Sequence, residues 1–258
     1  MKAVVISLES KIERYKWTRS QLKQIPSLAI EKLSAVDARA DNPHALMGRY
    51  NEQRFFNLNG RTAAPGEIGC YASHYLAWQR CVELNEPIVV FEDDIQIDAQ
   101  LFNHTIEAAK AHIAECGYIR LENYSKKREH NYTVASLGHH QRLIRHIKTP
   151  LCMTAYAITP SVAKAFIKKS NEFLYPVDVF MRNIWIHKKP TYGITPAGLT
   201  GGKFDSAIGT RNFKHEKTVK TKAFKLLSKS RDVAFNGLYN FTYAVTVKKS
   251  RPTFQRHR

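Results

Sequence analysis

The chain has 258 residues, 43% hydrophobic and 11% aromatic, which is enough to bury one full core, and it carries no internal repeat or low-complexity tract. The absence of any run of roughly 18 apolar residues argues against a membrane-spanning helix. A net charge of +18 predicts a polyanionic neighbour, whether nucleic acid, anionic membrane or phosphorylated substrate.

In chain order, residues 2–8 read as a first strand. The apolar stretch before Glu9 is too short for the core of a signal peptide, so a cytoplasmic protein is expected. Residues 9–24 place Ile12, Tyr15, Trp17 and Leu22 among charges and predict an amphipathic helix, opening the domain with a βα unit. A second strand over 29–36 ends at Asp37, a residue type that caps turns or, in nucleotide folds, receives a ribose hydroxyl or base donor. Residues 41–64 are polar, contain Pro43, Gly48 and Gly60, and lack periodicity, so a long loop or small excursion is expected. Pro65, Gly66 and Gly69 then lead into the helical pattern of Tyr75, Leu76, Trp78, Val82 and Leu84. Glycines before a helix let phosphates approach free backbone N–H groups, or simply turn the chain. Ser73 and His74 are adjacent, and neighbours in a helix point about 100° apart, so a packed, hydrogen-bonded His is expected rather than a nucleophile and its base.

The sequence PIVVFEDDI (87–95) is the centre of this reading. Residues 88–91 form a buried strand, and Glu92, Asp93 and Asp94 follow at its C-terminal end, where open α/β sheets bind ligands. Strand alternation would put Glu92 and Asp94 on one face, suited to one divalent ion shared with a diphosphate. The remaining pattern predicts a helix over 99–115, a strand over 118–121, a surface loop or edge hairpin over 125–140, a helix over 161–169, a helix over 179–187 just after Asp178, and a last strand over 192–195. An Asp in a first helical turn stabilises the helix dipole, and becomes a candidate base if the fold aims it at the acidic triplet.

Cys70, Cys81, Cys116 and Cys152 show no CxxC or His-rich spacing, so reduced thiols are expected. Residues 203–258 hold fourteen Lys or Arg against three acids, so most of the positive charge belongs to the C-terminal end. Residues 218–230 space Ala223, Phe224, Leu226 and Leu227 among lysines, as in a helix resting on an anionic membrane or, equally, one packed on its own domain. An apolar, aromatic patch over 238–247 has the same two readings. No helix-turn-helix, zinc-finger or RRM-type signature accompanies the charge, so no specific nucleic-acid partner is expected, although a basic binding module without catalysis is the rival reading.

Four stretches taken together, VVISLES (4–10) with Arg14, SAVDAR (34–39), GEIGCYASHYLAW (66–78) and PIVVFEDDI, resemble glycosyltransferase family 25, the bacterial lipopolysaccharide and lipooligosaccharide glycosyltransferases. PVDVFM (176–181) and DSAIGTR (205–211) resemble later elements of that family, so the likeness covers residues 1–211 and leaves 212–258 as a basic helical extension. The resemblance implies an α/β, GT-A-type, Rossmann-like nucleotide-sugar-binding domain with a mixed central sheet. It implies transfer of galactose or glucose from a UDP-sugar to a lipooligosaccharide or lipopolysaccharide core, with inversion and with Mn²⁺ or Mg²⁺. By the same resemblance Asp94 and Glu92 would hold the metal. Ser7, Leu8, Arg14, Asp37, Gly66, Gly69, Ser73, His74, Glu92 and Asp93 would surround the donor, and Asp178 would be the catalytic base. The basic extension would rest on the cytoplasmic face of the inner membrane.

Overall fold

The structure is a computed structural model describing residues 1–123, 130–204 and 218–247. An eight-stranded mixed sheet runs in the order β2-β1-β3-β8-β5-β9-β7-β6. Its strands are β1 (Lys2–Ser7), β2 (Ala29–Ser34), β3 (Ile88–Glu92), β5 (Tyr118–Arg120), β6 (His130–Ser136), β7 (Arg142–Lys148), β8 (Ala155–Ile158) and β9 (Thr191–Thr195). β1 is parallel to β2 and β3, and β5 to β9, while β8 runs antiparallel between β3 and β5. A small pair, β4 (Gln96–Ile97) with β10 (Leu199–Thr200), closes the end beyond β3.

Alternation of side chains sorts the core into two halves. Val4 of β1 and Val90 of β3 face one side, with Trp78 of α3 (Pro65–Leu84) and Phe166 of α5 (Pro160–Lys169). Val5, Val89 and Phe91 face the other, with Leu22 of α1 (Ile12–Leu22) and Phe102, Ile106 and Ile113 of α4 (Ala99–Cys116). Ile88 to Phe91 are wholly buried, because helices cover both faces of the central strand.

Residues 41–64, expected as a long loop or small excursion, form an excursion with structure of its own: a 3₁₀ turn at Ala45–Arg49 and α2 at Glu52–Asn59. Asn51 caps α2 by accepting the Arg54 N–H, and Gly60 ends it in the left-handed region at φ 66°. Eight residues anchored by one buried side chain, Phe55, are too few for a periodic signal. The helix expected over 179–187 is two, α6 (Val177–Arg182) and α7 (Ile184–His187), which meet at Asn183. The two patches of the basic C-terminal region join in one helix, α8 (Val219–Val247), whose inner face packs on α2 and α7. Among the described residues, no helix is long and apolar enough to cross a membrane. DSAIGTR and the expected boundary at 211/212 lie outside the described residues.

Candidate active site

β3, an interior strand, delivers the acidic triplet at its C-terminal end. The strand ends at Glu92 and the chain turns through Asp93 and Asp94, so strand alternation does not extend to Asp94. Glu92 and Asp94 nonetheless line one cleft of about 140 Å³, together with Ser7, Leu8, Arg14, Asp37, Gly66, Gly69, Cys70, Ser73, His74 and Asp93. Eleven positions singled out in the sequence thus converge from β1, α1, the end of β2, the first turns of α3 and the end of β3.

The three acids have different partners. Asp93 is held on both oxygens: Ser7 Oγ donates to Oδ2 at 2.7 Å, and the Arg14 guanidinium reaches Oδ1 through Nε at 2.8 Å. That carboxylate therefore ties β1 and α1 to the triplet. Asp94 is different. Arg14 stands 3.8 Å from Oδ2, and Oδ1 is buried with no hydrogen-bond partner among the described residues. Burial, reinforced by the negative charge of Glu92, pushes the Asp94 carboxyl up to about 6, against the pull of Arg14. An orphaned, buried carboxylate oxygen beside a second carboxylate suits a hard divalent cation, so Asp94 and Glu92 fit the metal that the sequence implies.

Glu92 lies against α3. Its Oε1 is 3.6 Å from Nε2 of the buried His74. Trp78 Nε1, a pure donor, binds the Tyr156 hydroxyl at 3.1 Å, leaving the Tyr156 proton for His74 Nδ1 at 3.0 Å. That assignment puts the imidazole proton on Nε2, facing Glu92. His74 is the packed, hydrogen-bonded residue anticipated, with one edge turned to the cleft. Ser73 is structural too: its hydroxyl donates to the Gly69 carbonyl and accepts the Val36 N–H at 2.8 Å, pinning α3 to the segment that carries Asp37. Asp37 accepts the Arg39 N–H in a local turn. Gly69 sits where α3 crosses that segment, since a Cβ there would stand 2.6 Å from the Val36 carbonyl oxygen. The α3 N-terminus is fixed by Glu67, which accepts the Ala64 N–H at 3.0 Å and both Arg61 amino groups.

Asp178 lies outside this cleft. It lines a second cavity, of about 330 Å³, with Glu67, Cys152, Met153 and Val177, and the two cavities share Cys70 and Glu92. Glu92 is thus the wall between them. Sequence reasoning passed over Cys70 and Glu67. Cys70 and His74 stand at i and i+4 on one helical face, a spacing that marks them as neighbours, and together with Glu92 their ligating atoms lie within 4.8 Å of one another. Burial pushes the Cys70 thiol well up, with help from Glu92 and Asp178, and keeps it protonated. Also unanticipated is the buried pair Arg120 and Glu122, which holds the far wall of the second cavity. Arg120 donates to the Pro150 carbonyl at 2.6 Å and Glu122 accepts the Thr154 N–H at 2.7 Å.

Comparison with known proteins identifies this arrangement. The profile described as "Glycosyltransferase family 25 (LPS biosynthesis protein)" matches residues 1–181, the segment that supplies both cavities. The chain belongs to glycosyltransferase family 25. Curated relatives named "Glycosyltransferase 25 family member" are similar over about a third of the chain. One from Drosophila pseudoobscura pseudoobscura is 33% identical over 98 residues, and one from Anopheles gambiae 35% over 100, each match covering 36% of this chain and 16% of the relative. A Rattus norvegicus protein named "Probable inactive glycosyltransferase 25 family member 3" is 31% identical over 102 residues, 36% of this chain and 17% of its own. The chain thus spans about a sixth of the length of these relatives. A family 25 glycosyltransferase domain is therefore what the two cavities belong to, and its chemistry has to be argued from their residues.

Proposed function

We propose that this family 25 chain is a GT-A-type inverting glycosyltransferase that moves galactose or glucose from a UDP-sugar to a hydroxyl of a lipooligosaccharide or lipopolysaccharide core. The observation that carries the reading is the pairing of two cavities across Glu92: one lined by carboxylates and the first turn of α3, the other by Asp178. The first suits a nucleoside diphosphate, since the α3 N-terminus favours anionic oxygens and Asp37 stands ready for a ribose or base donor. The second suits a sugar acceptor. The description of the matching profile as an LPS biosynthesis protein supports the acceptor class.

Bound at Asp94 and Glu92, Mn²⁺ or Mg²⁺ would supply neutralising charge for the departing diphosphate. The chain's own residues do the rest. Arg14, fixed by Asp93, adds positive charge beside Asp94. Asp178 accepts the proton of the acceptor hydroxyl as its oxygen bonds to C1 of the donor and the C1–O bond to UDP breaks on the opposite face. General-base help of this kind is worth roughly 10²- to 10⁴-fold in rate. The catalytic unit is proposed as residues 1–211, with 212–258 as an extension. A cytoplasmic setting is proposed with it, supported by four unpaired cysteines of which Cys81 and Cys116 are buried.

The test is UDP release from a panel of UDP-sugars, with and without Mn²⁺, using truncated lipooligosaccharide as acceptor and Asp94→Ala as control. Acceptor-stimulated, metal-dependent release from UDP-galactose or UDP-glucose is expected. No release from any nucleotide sugar by folded protein would overturn the reading in favour of a basic binding module.

A further inference from the structure

The helix α8 has two unlike faces. Its inner face is specific: Arg231 donates to Tyr175 Oη at 2.6 Å, Asp232 accepts from Asn183 at 3.0 Å, and Tyr243 meets Tyr192 at 2.8 Å. Phe235 packs on Trp185, and Tyr243 lies under the Arg145 guanidinium at 3.8 Å. Among the described residues the outer face has no such partners. Leu226, Leu227, Val233, Leu238, Phe241 and Val245 are between 49% and 71% exposed, and the positions between them on that face are Ala, Ser or Gly. At the helical repeat they fall within one continuous stripe, about 30 Å long and free of charge along its centre. Lys222 and Lys229, both exposed, border one edge.

We propose that the outer face of α8 is an interfacial surface that seats the protein on an anionic lipid bilayer, with the apolar stripe among the acyl chains and the lysine row at the headgroups. An exposed apolar stripe of this length is exceptional on a solvated protein. Its flanking charge selects the occupant. The single acid in α8, Asp232, is turned inward, so a second copy would bring lysines and no countercharge to the stripe, and two chains of +18 each would repel. Anionic lipid supplies both the apolar depth and the countercharge. Through Tyr175 and Asn183 the seated helix grips α6 from either side of Asp178, so the lipid surface would lie beside the acceptor cavity. Binding to lipid does not depend on catalysis.

The experiment is vesicle flotation of the full chain with phosphatidylcholine vesicles, with and without phosphatidylglycerol, at low and high salt. The wild type is expected to float with the anionic vesicles and to be released by salt. Leu226→Asp combined with Phe241→Asp, both at exposed positions, should abolish flotation while leaving the melting temperature and UDP affinity unchanged. Replacing Lys222 and Lys229 together by Gln should weaken it roughly thirtyfold. The proposal fails if the wild type stays unbound, or if the Asp variant floats like the wild type. It also fails if light scattering shows a wild-type dimer that the Asp variant splits while neither binds vesicles.

Discussion

His74 and Glu92 meet at 3.6 Å on the wall between the two cavities, with the His74 ring held from behind by Tyr156 and Trp78. The Nε2 edge of the His74 ring faces the Glu92 carboxylate and holds it in place between the cavities. Glu92→Gln keeps the shape and removes the charge. It should cut metal-dependent turnover by at least about tenfold, with the melting temperature little changed because Glu92 is partly exposed. His74→Ala should instead lower the melting temperature, since it opens a hole in the core and removes the partner of a buried hydroxyl, a loss of about 2–4 kcal/mol. Thermal melts beside UDP-release assays separate the two outcomes.

Asp178 and Asp94 have separable jobs if the donor and acceptor occupy separate cavities. Asp178→Ala should remove turnover while UDP and Mn²⁺ still bind, and Asp94→Ala should lose both affinities, as read by calorimetric titration. The raised Asp94 carboxyl adds a pH test. A cation binds only its ionised form, so Mn²⁺ affinity should be full above pH about 6 and weaken as the pH falls below it. A flat profile, or the opposite division of roles, would sink the assignment.

Gly69 is required by packing. Gly69→Ala would push a methyl group into the Val36 carbonyl, moving α3 away from the segment that carries Asp37 and straining the Ser73 bridge between them. The expected cost is about 1–3 kcal/mol with weakened UDP binding. Urea titration and UDP calorimetry on the same preparation would show whether both move together.

His187 predicts acid sensitivity away from the site. Buried beneath Phe166 and Phe180, it donates from Nε2 to the Met181 carbonyl and accepts the Lys189 N–H on Nδ1, so the ring is neutral with both nitrogens used. Burial lowers it from 6.5 to about 4. A depressed folded value means that the stabilisation is complete above the unfolded value and is lost as pH falls from 6.5 towards 4, on the order of 3 kcal/mol in all. His187→Gln should flatten that part of the urea midpoint against pH, and an unchanged slope would refute it.

The strands β1, β2, β3, β5 and β9 and the acidic triplet were legible locally, because IVVF and the carboxylates after it are consecutive, and so was the family, because its motifs are short and continuous. The helix α2 was not, since its one buried anchor comes from distant packing. The joining of two C-terminal patches into α8 was likewise hidden, because an inner face of Tyr, Asn and Arg shows no apolar period until its partners on α6, α7 and β9 are known.

By itself the sequence determined the βα opening, the buried central strand and a carboxylate-rich strand end, all of which follow from side-chain types a few residues apart. Only the tertiary structure decided what each carboxylate does. Three consecutive acids have equal standing in a sequence. In the fold, Asp93 is held by Ser7 and Arg14, Glu92 stands against His74 between two cavities, and Asp94 keeps a buried oxygen without a partner among the described residues. The physical reason is that a carboxylate's role is set by which charges, donors and solvent surround it, and those arrive from residues up to 86 positions away.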